Sequence, residues 1–108
     1  ACQGAGGYTY PYGNTYNPAT CNGSDDPNPG NVFPTGRYTE CKSPYGVFDM
    51  SGNVEEWNST DYPDGKKGLR GGSYLNGTEL YTTCAYESPP VAADFSSRTI
   101  GFRCCMTP

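Results

Sequence analysis

Apolar positions are sparse and rarely periodic along this chain. Residues 1–18 (ACQGAGGYTYPYGNTYNP) alternate Gly and Tyr with turn-forming residues, and residues 22–31 (NGSDDPNPGN) read as a polar loop rich in Pro and Gly. Residues 32–39 and 45–50 are short enough in apolar content to be brief extended pieces. The best-organised run is Gly46 to Trp57 (GVFDMSGNVEEW), where Val47, Phe48 and Met50 lead into a Ser51-Gly52-Asn53 turn. Val54 and Trp57 then lie three apart, a spacing that predicts one turn of helix. Residues 58–68 (NSTDYPDGKKG) read as a loop and Leu69–Tyr74 as a strand. Residues 85–97 read as loop, and Arg98–Cys105, where Ile100, Phe102 and Cys104 alternate, as a last strand. The pattern predicts an α+β chain with little regular structure, a small sheet carrying long irregular loops.

Composition sharpens this picture. Only twelve of the 108 residues are Leu, Ile, Val or Phe, which normally signals disorder when net charge is high. Here the formal charge is −4, and the chain has ten Tyr and six Cys, so the fold is expected to rest on aromatic packing and crosslinks. Long helices are improbable with fifteen Gly and ten Pro, and no apolar run approaches a membrane span of about 20 residues. An even cysteine count without CxxC or histidine implies disulfides formed in an oxidising compartment, hence a secreted or cell-surface location. Seven dispersed basic residues provide no footprint for nucleic acid. The first residue, Ala1, suggests a processed chain or a fragment.

Three segments carry a resemblance. GVFDMSGNVEEW (46–57), LRGGSY (69–74) and IGFRC (100–104) resemble, in order, the signature blocks of the formylglycine-generating enzyme/sulfatase-modifying factor family. YPYGNTYNPATCN (10–22) is similar to that family's upstream YPWG-type block. The resemblance implies a single domain over 1–108, shortened at its N-terminus. It also implies a C-type-lectin-like fold variant with a small twisted antiparallel sheet, stapled by disulfides.

Site residues follow from the same resemblance. It places calcium on the Asp49 side chain, the Gly52 and Val54 carbonyls and the Glu56 side chain; oxygen ligands of this kind suit a hard cation. From the residues alone, Asp49 could equally cap a short helix that the two Glu support. A possible second calcium site uses Asn22, the Gly23 carbonyl and Asp25 or Asp26, with Asp26 preferred. An exposed Asp-Asp-Pro turn is the alternative there. The copper-binding cysteines of the generating enzymes correspond to Asn76 and Tyr81, neither of which supplies the soft thiolate that Cu(I) needs. With no histidine in the chain, the expectation is a protein that is not an enzyme.

The resemblance also pairs Cys2 with Cys84. Cys21 and Cys41 are then expected to pair with Cys104 and Cys105 in an unspecified order, an intermolecular bond being the minor alternative. Asn22, Asn58 and Asn76 open Asn-x-Ser/Thr sequons and are possible glycosylation sites. The tyrosines, among them Tyr8, Tyr10, Tyr12 and Tyr16, either pack inward or form an exposed binding row. Leu75 to Arg98 is the expected recognition surface. The function expected is a non-catalytic, calcium-stabilised extracellular binding or structural module. Its partners would be a protein, a glycan or copies of itself, assembled at a cell surface or in a fibre. The rival is a fragment or divergent member of an oxidase of the generating type, testable with copper and a thiol peptide.

Overall fold

A computed structural model describes residues 1–27 and 30–107; the part of the expected 22–31 loop at 28 and 29 lies outside the described residues. Among the described residues, regular structure is a four-stranded sheet and one short 3-10 turn. The strands are β1 (Glu55–Asp61), β2 (Lys66–Arg70), β3 (Glu87–Ala92) and β4 (Ile100–Gly101), in the order β3-β2-β1-β4. β1 and β2 form an antiparallel hairpin with Trp57 opposite Leu69, and β2 pairs antiparallel with β3. β4 runs parallel to β1, with Glu55 opposite Ile100, so the curled sheet is mixed rather than antiparallel.

Several expected elements change character. Residues 54–57 form no helical turn. The chain leaves Val54 directly into β1, where the Glu55 N–H donates to the Thr99 carbonyl at 2.8 Å. One isolated helical turn fixes several dihedrals for a single bond, whereas here β4 pairs with Glu55 and Glu56 and β2 with Glu56 and Trp57. The expected loop at 58–68 is the rest of that hairpin, closed by the 3-10 turn Pro63–Gly65 with Asp64 at φ 64°. β2 ends at Arg70 rather than Tyr74 because Gly71 and Gly72 take φ values of 104° and 68°, which no strand accommodates.

β3 occupies part of the expected 85–97 loop although it contains Pro89 and Pro90. It lies at the sheet's edge, where a missing N–H costs no ladder bond on the open side. The last strand shrinks from the expected 98–105 to two residues, since Arg103 is drawn out of line by bonds described below.

The interior is unusual in its chemistry. Its buried apolar members among the described residues are Tyr10, Cys21, Cys41, Leu69 and Tyr74. Beside them Asn22, Ser51, Ser73, Asn53 and Thr82 are also buried. Of the tyrosines Tyr10 and Tyr74 are buried, Tyr8, Tyr12 and Tyr16 are half-buried, and Tyr45 and Tyr81 are exposed. Tyr10 stacks on Tyr12 at 5.5 Å and 11° and meets Tyr16 at 5.5 Å, and its hydroxyl donates to the Glu79 carbonyl.

Two disulfides supply what aliphatic burial does not. Cys2 bonds Cys84 with a Cα separation of 5.6 Å, tying the N-terminal segment to the chain ahead of β3. Cys21 bonds Cys41 at 5.0 Å, which corrects the expected pairing of both with Cys104 and Cys105. The reason is placement: Cys41 is fully buried beside Cys21, while Cys104 and Cys105 lie exposed beyond β4 as free thiols. Closing a 20-residue loop stabilises by about 3 kcal/mol in the chain-entropy description. Alkylation of the folded chain without reductant, followed by peptide mapping, is therefore expected to label Cys104 and Cys105 and leave the other four unlabelled. Labelling of Cys21 or Cys41 would refute this connectivity.

Candidate binding site and its surroundings

The turn Ser51-Gly52-Asn53 gathers four distant segments. Ser51 Oγ donates to the Thr82 carbonyl at 2.6 Å, and the Gly52 N–H donates to the Gly71 carbonyl at 2.7 Å. Gly52 has φ 76°, and a Cβ there would sit 2.6 Å from the Asn22 carbonyl oxygen, so no other residue fits. Asn53 accepts from the Phe33 N–H at 3.0 Å and returns a bond to the Phe33 carbonyl at 3.1 Å. Its backbone N–H reaches the Asn22 carbonyl at 2.7 Å.

Asn22, at 1% exposure, donates through Nδ2 to the Asn31 carbonyl and to Asn53 Oδ1. Its Oδ1 is buried with no hydrogen-bond partner, as is the hydroxyl of Ser24. The two acids nearby separate. Asp25 is exposed and accepts from the Tyr16 hydroxyl at 3.0 Å, while Asp26 is buried and engages Tyr38. Burial first, and then the bond to Asp26, raises the Tyr38 phenol to about 12. A buried, unpaired amide oxygen in a loop of hard oxygen donors fits a calcium ligand. Of the expected set, Asn22 thus offers a suitable oxygen, while the Gly23 carbonyl accepts the Asp26 N–H at 3.2 Å.

The other expected calcium set is organised around a guanidinium. Arg103 Nε and Nη2 donate to the two Glu56 oxygens at 2.5 and 2.6 Å. Nη2 also reaches the carbonyls of Phe48 and Asp49 at 3.0 and 3.2 Å. Asp49 caps no helix. It sits at φ 57° and accepts the Gly36 N–H at 2.8 Å, bracing the neighbouring turn. Burial raises its carboxyl above the ordinary range; the Gly36 bond and Arg103 oppose that shift, and Glu56 adds to it. Asp49 and Glu56 are thus brought to one place, but Glu56 enters a calcium set only by sharing its carboxylate with Arg103.

On the opposite face of β1 lies a cleft of about 440 Å³. Successive strand side chains point to opposite faces, so Glu56 meets Arg103 while Glu55 turns into this cleft. Leu69, Tyr81, Tyr86, Val91, Phe95 and Ile100 form its apolar lining, and Asn76 reaches its edge. The Tyr81 and Tyr86 rings meet at 4.8 Å and 59°. Glu55 is 7% exposed and accepts from the Ser88 hydroxyl through Oε1. Burial, and then the nearby Tyr81 and Glu55, raise the Tyr86 phenol. The lining draws heavily on the expected recognition segment Leu75 to Arg98. Glu55 itself escaped the sequence reading, which took it for a helix-end acid. Two-residue alternation would have separated it from Glu56 had the strand been assigned.

Asn76 and Tyr81, which the resemblance sets at the copper-cysteine positions, both line one cleft, whose lining among the described residues includes neither thiol nor imidazole. Asn76 Oδ1 is held by the Ser73 N–H at 2.9 Å and the Ser73 hydroxyl at 2.6 Å. Of the three sequons, Asn22 is buried and the Asn58 amide nitrogen is buried, so only Asn76 presents an exposed side chain.

This architecture is that of a formylglycine-generating-enzyme-like, C-type-lectin-like domain. Residues 1–108 match the sulfatase-modifying factor enzyme 1-like domain, and the chain belongs to that family. It is 30% identical to the mouse (Mus musculus) protein "Inactive C-alpha-formylglycine-generating enzyme 2", over 94% of this chain and 37% of that one. Among solved structures, CarF superposes with a TM-score of 0.66 at 27% identity, covering 89% of this chain and 36% of CarF. Treponema denticola variable protein 1 shares the fold with a TM-score of 0.72 at 16% identity, over 94% and 41% of the two chains. The chain thus spans well under half the length of each. Two disulfides place it in an oxidising compartment. Among the described residues no helix is long and apolar enough to cross a membrane.

The Arg103–Glu56 fork makes a direct test of what holds the two sheet ends together. Its side chains are 30% and 19% exposed, so part of its strength is screened. Arg103→Ala is expected to cost about 2 kcal/mol in urea unfolding, below the 3–5 of a fully buried pair. Arg103→Lys should recover only part of this, since an ammonium lacks the planar fork.

Proposed function

We propose that this chain is a non-catalytic, calcium-stabilised extracellular binding module whose ligand surface is the cleft on the Glu55 face of the sheet. The observation that carries the reading is what stands at Asn76 and Tyr81. The cleft edge that would need soft thiolates for copper carries an amide and a phenol, and the mouse relative bears the description inactive. What remains is a concave, largely apolar surface with a few polar groups, the usual composition of a binding site. Its volume lies within the range of about 300–1,000 Å³ common to ligand pockets.

Calcium has a structural role in this reading. Asn22, Gly23 and Asp26 would hold one ion, and the unpaired Asn22 oxygen supports that assignment. Asp49, Gly52, Val54 and Glu56 would hold a second by sharing Glu56 with Arg103. Either ion would neutralise acidic charge in a chain of net charge −4 and brace loops that little apolar surface supports. Partners are a protein, a glycan or further copies of the chain. For self-assembly the available sheet edge is that of β1 and β4, because β4 covers only Glu55 and Glu56. The opposite edge is blunted by Pro89 and Pro90.

Two measurements test the reading. Millimolar calcium is expected to raise the Tm and chelator to reverse the rise; Asn22→Ala should remove the share of the shift that belongs to the Asn22 set and Asn22→Asp retain it. A Tm indifferent to chelator in the parent chain would remove calcium from the account. Incubation with Cu(I) and a cysteine-containing peptide is expected to yield no aldehyde product. Turnover there would favour the oxidase reading over the binding module.

A further inference from the structure

The fold treats its three sequon asparagines, Asn22, Asn58 and Asn76, very differently. An N-linked sugar needs an amide nitrogen that is free and has room beside it. Asn22 is 1% exposed, and its Nδ2 donates to the Asn31 carbonyl at 2.8 Å and to Asn53 Oδ1 at 3.0 Å, so both hydrogens are in use. Asn58 lies in β1 with its Nδ2 sealed from solvent. A Cβ on Gly68 would stand 2.8 Å from both Asn58 amide atoms, so this side chain presses against β2 with no space for a sugar.

Asn76 is the reverse case. It stands exposed on a turn anchored by buried Ser73, Tyr74 and Gly77. The Gly77 N–H donates to the Ser73 carbonyl at 2.6 Å, and the Gly77 carbonyl accepts the Ser24 N–H at 3.1 Å. A Cβ on Gly77 would lie 3.1 Å from the Gly23 Cα, so the turn is pressed onto the Asn22-Gly23 segment. On this support the Ser73 N–H and hydroxyl both bond Asn76 Oδ1, at 2.9 and 2.6 Å. They fix the amide by its oxygen and leave Nδ2 without a partner among the described residues. Thr78, the third residue of the sequon, is engaged through its backbone, donating to the Asn76 carbonyl at 3.0 Å and accepting from the Thr82 N–H at 3.1 Å.

A second observation in the same loop points to a covering. Leu75 and Leu80 are 50% and 63% exposed, and Tyr81 is 37% exposed. Large apolar side chains gathered in one exposed loop mark a surface that something lies over. The C–H faces of sugar rings suit such side chains, while their hydroxyls keep the outer side wet. Asn76 and Tyr81 line one cleft, so a sugar on the first reaches the ring of the second.

We infer that Asn76 is a modification site carrying an N-linked oligosaccharide, whose first sugars lie over the apolar residues of the 75–81 loop. The donor is a polyprenyl-pyrophosphate-linked oligosaccharide of the secretory route. The bond from Nδ2 to the anomeric carbon forms as that carbon's bond to the pyrophosphate oxygen breaks. One Nδ2 proton is lost, and polyprenyl pyrophosphate leaves. Transfer to the nascent chain precedes folding, so the fold acts as a filter. A chain modified at Asn22 or Asn58 cannot close, whereas a chain modified at Asn76 can. This site stands whether or not the cleft binds a ligand.

The test is secretion of the full chain from an animal cell line behind a cleavable signal. The folded, secreted fraction is mapped by mass spectrometry before and after treatment with peptide N-glycosidase. The expected result is one glycan, with Asn76 converted to aspartate on its release. Asn76→Gln and Thr78→Ala should each abolish it, and Thr78→Ser should retain it. Thr78→Ala spares the bonds from Ser73 to Asn76, so it carries the test should Asn76→Gln fail to fold. An unmodified Asn76 in the folded fraction overturns the inference, and a glycan found there on Asn22 or Asn58 overturns the filter. The Tyr81 ring resonances should differ between the glycosylated chain and the same chain made in a host without the transferase. Identical resonances would overturn the placement of the sugars over the loop while leaving the site itself in place.

Discussion

The reciprocal bonding of Asn53 with Phe33, together with its contacts to Asn22, is the constraint on which the molecule depends. Through the turn at 51–53, segments that are distant in sequence are fixed to one point by hydrogen bonds rather than by apolar burial. Each bond is worth only about 1 kcal/mol net, but a buried amide stripped of its partners costs more than that. Such a network therefore acts mainly by exclusion: an arrangement that fails to satisfy all its members is strongly disfavoured. This is how twelve large aliphatic and Phe residues suffice. Specificity comes from polar satisfaction, and the disulfides limit the alternatives open to the unfolded chain.

Once that turn is set, β1 leaves it in one direction and with one register. Its first two residues then divide the protein's chemistry between two faces. Glu56 goes to Arg103, which reaches back to the carbonyls before the turn and locks the end of the sheet. Glu55 goes to the cleft. The ion-pair fork and the cleft thus occupy opposite sides of the same strand. The segment between Gly72 and β3 supplies the cleft's aromatic wall while remaining anchored at Ser73 and Cys84.

How far this was legible in the sequence depends on the kind of interaction. Motif blocks carried the fold, and the Cys2–Cys84 link came with them, because these features are tied to particular residues. The Ser51-Gly52-Asn53 turn was visible from its composition alone. Strand boundaries were not. Val54 and Trp57 satisfy a helical spacing over four residues as readily as a strand, and only β2 and β4 decide between them. Pro89 and Pro90 argue against a strand unless it is known to be an edge. Cys21 and Cys41 pair because folding buries them together, which no spacing rule conveys. The cleft was foreseen as a segment, not as a site. Its floor comes from an acid whose orientation depends on strand phase, and its walls from residues as far along the chain as Ile100.

An interior of amides, hydroxyls, tyrosines and crosslinks has a thermal consequence. The heat capacity released on unfolding rises with newly wetted apolar area and falls with newly wetted polar area. Here the first is small and the second substantial, so the stability curve against temperature is shallow and broad rather than sharply domed. Cooling weakens such a protein little, because it depends only modestly on a force that fades in the cold. The same scarcity of hydrophobic surface that makes the chain look unable to fold gives its folded form a wide range of working temperatures.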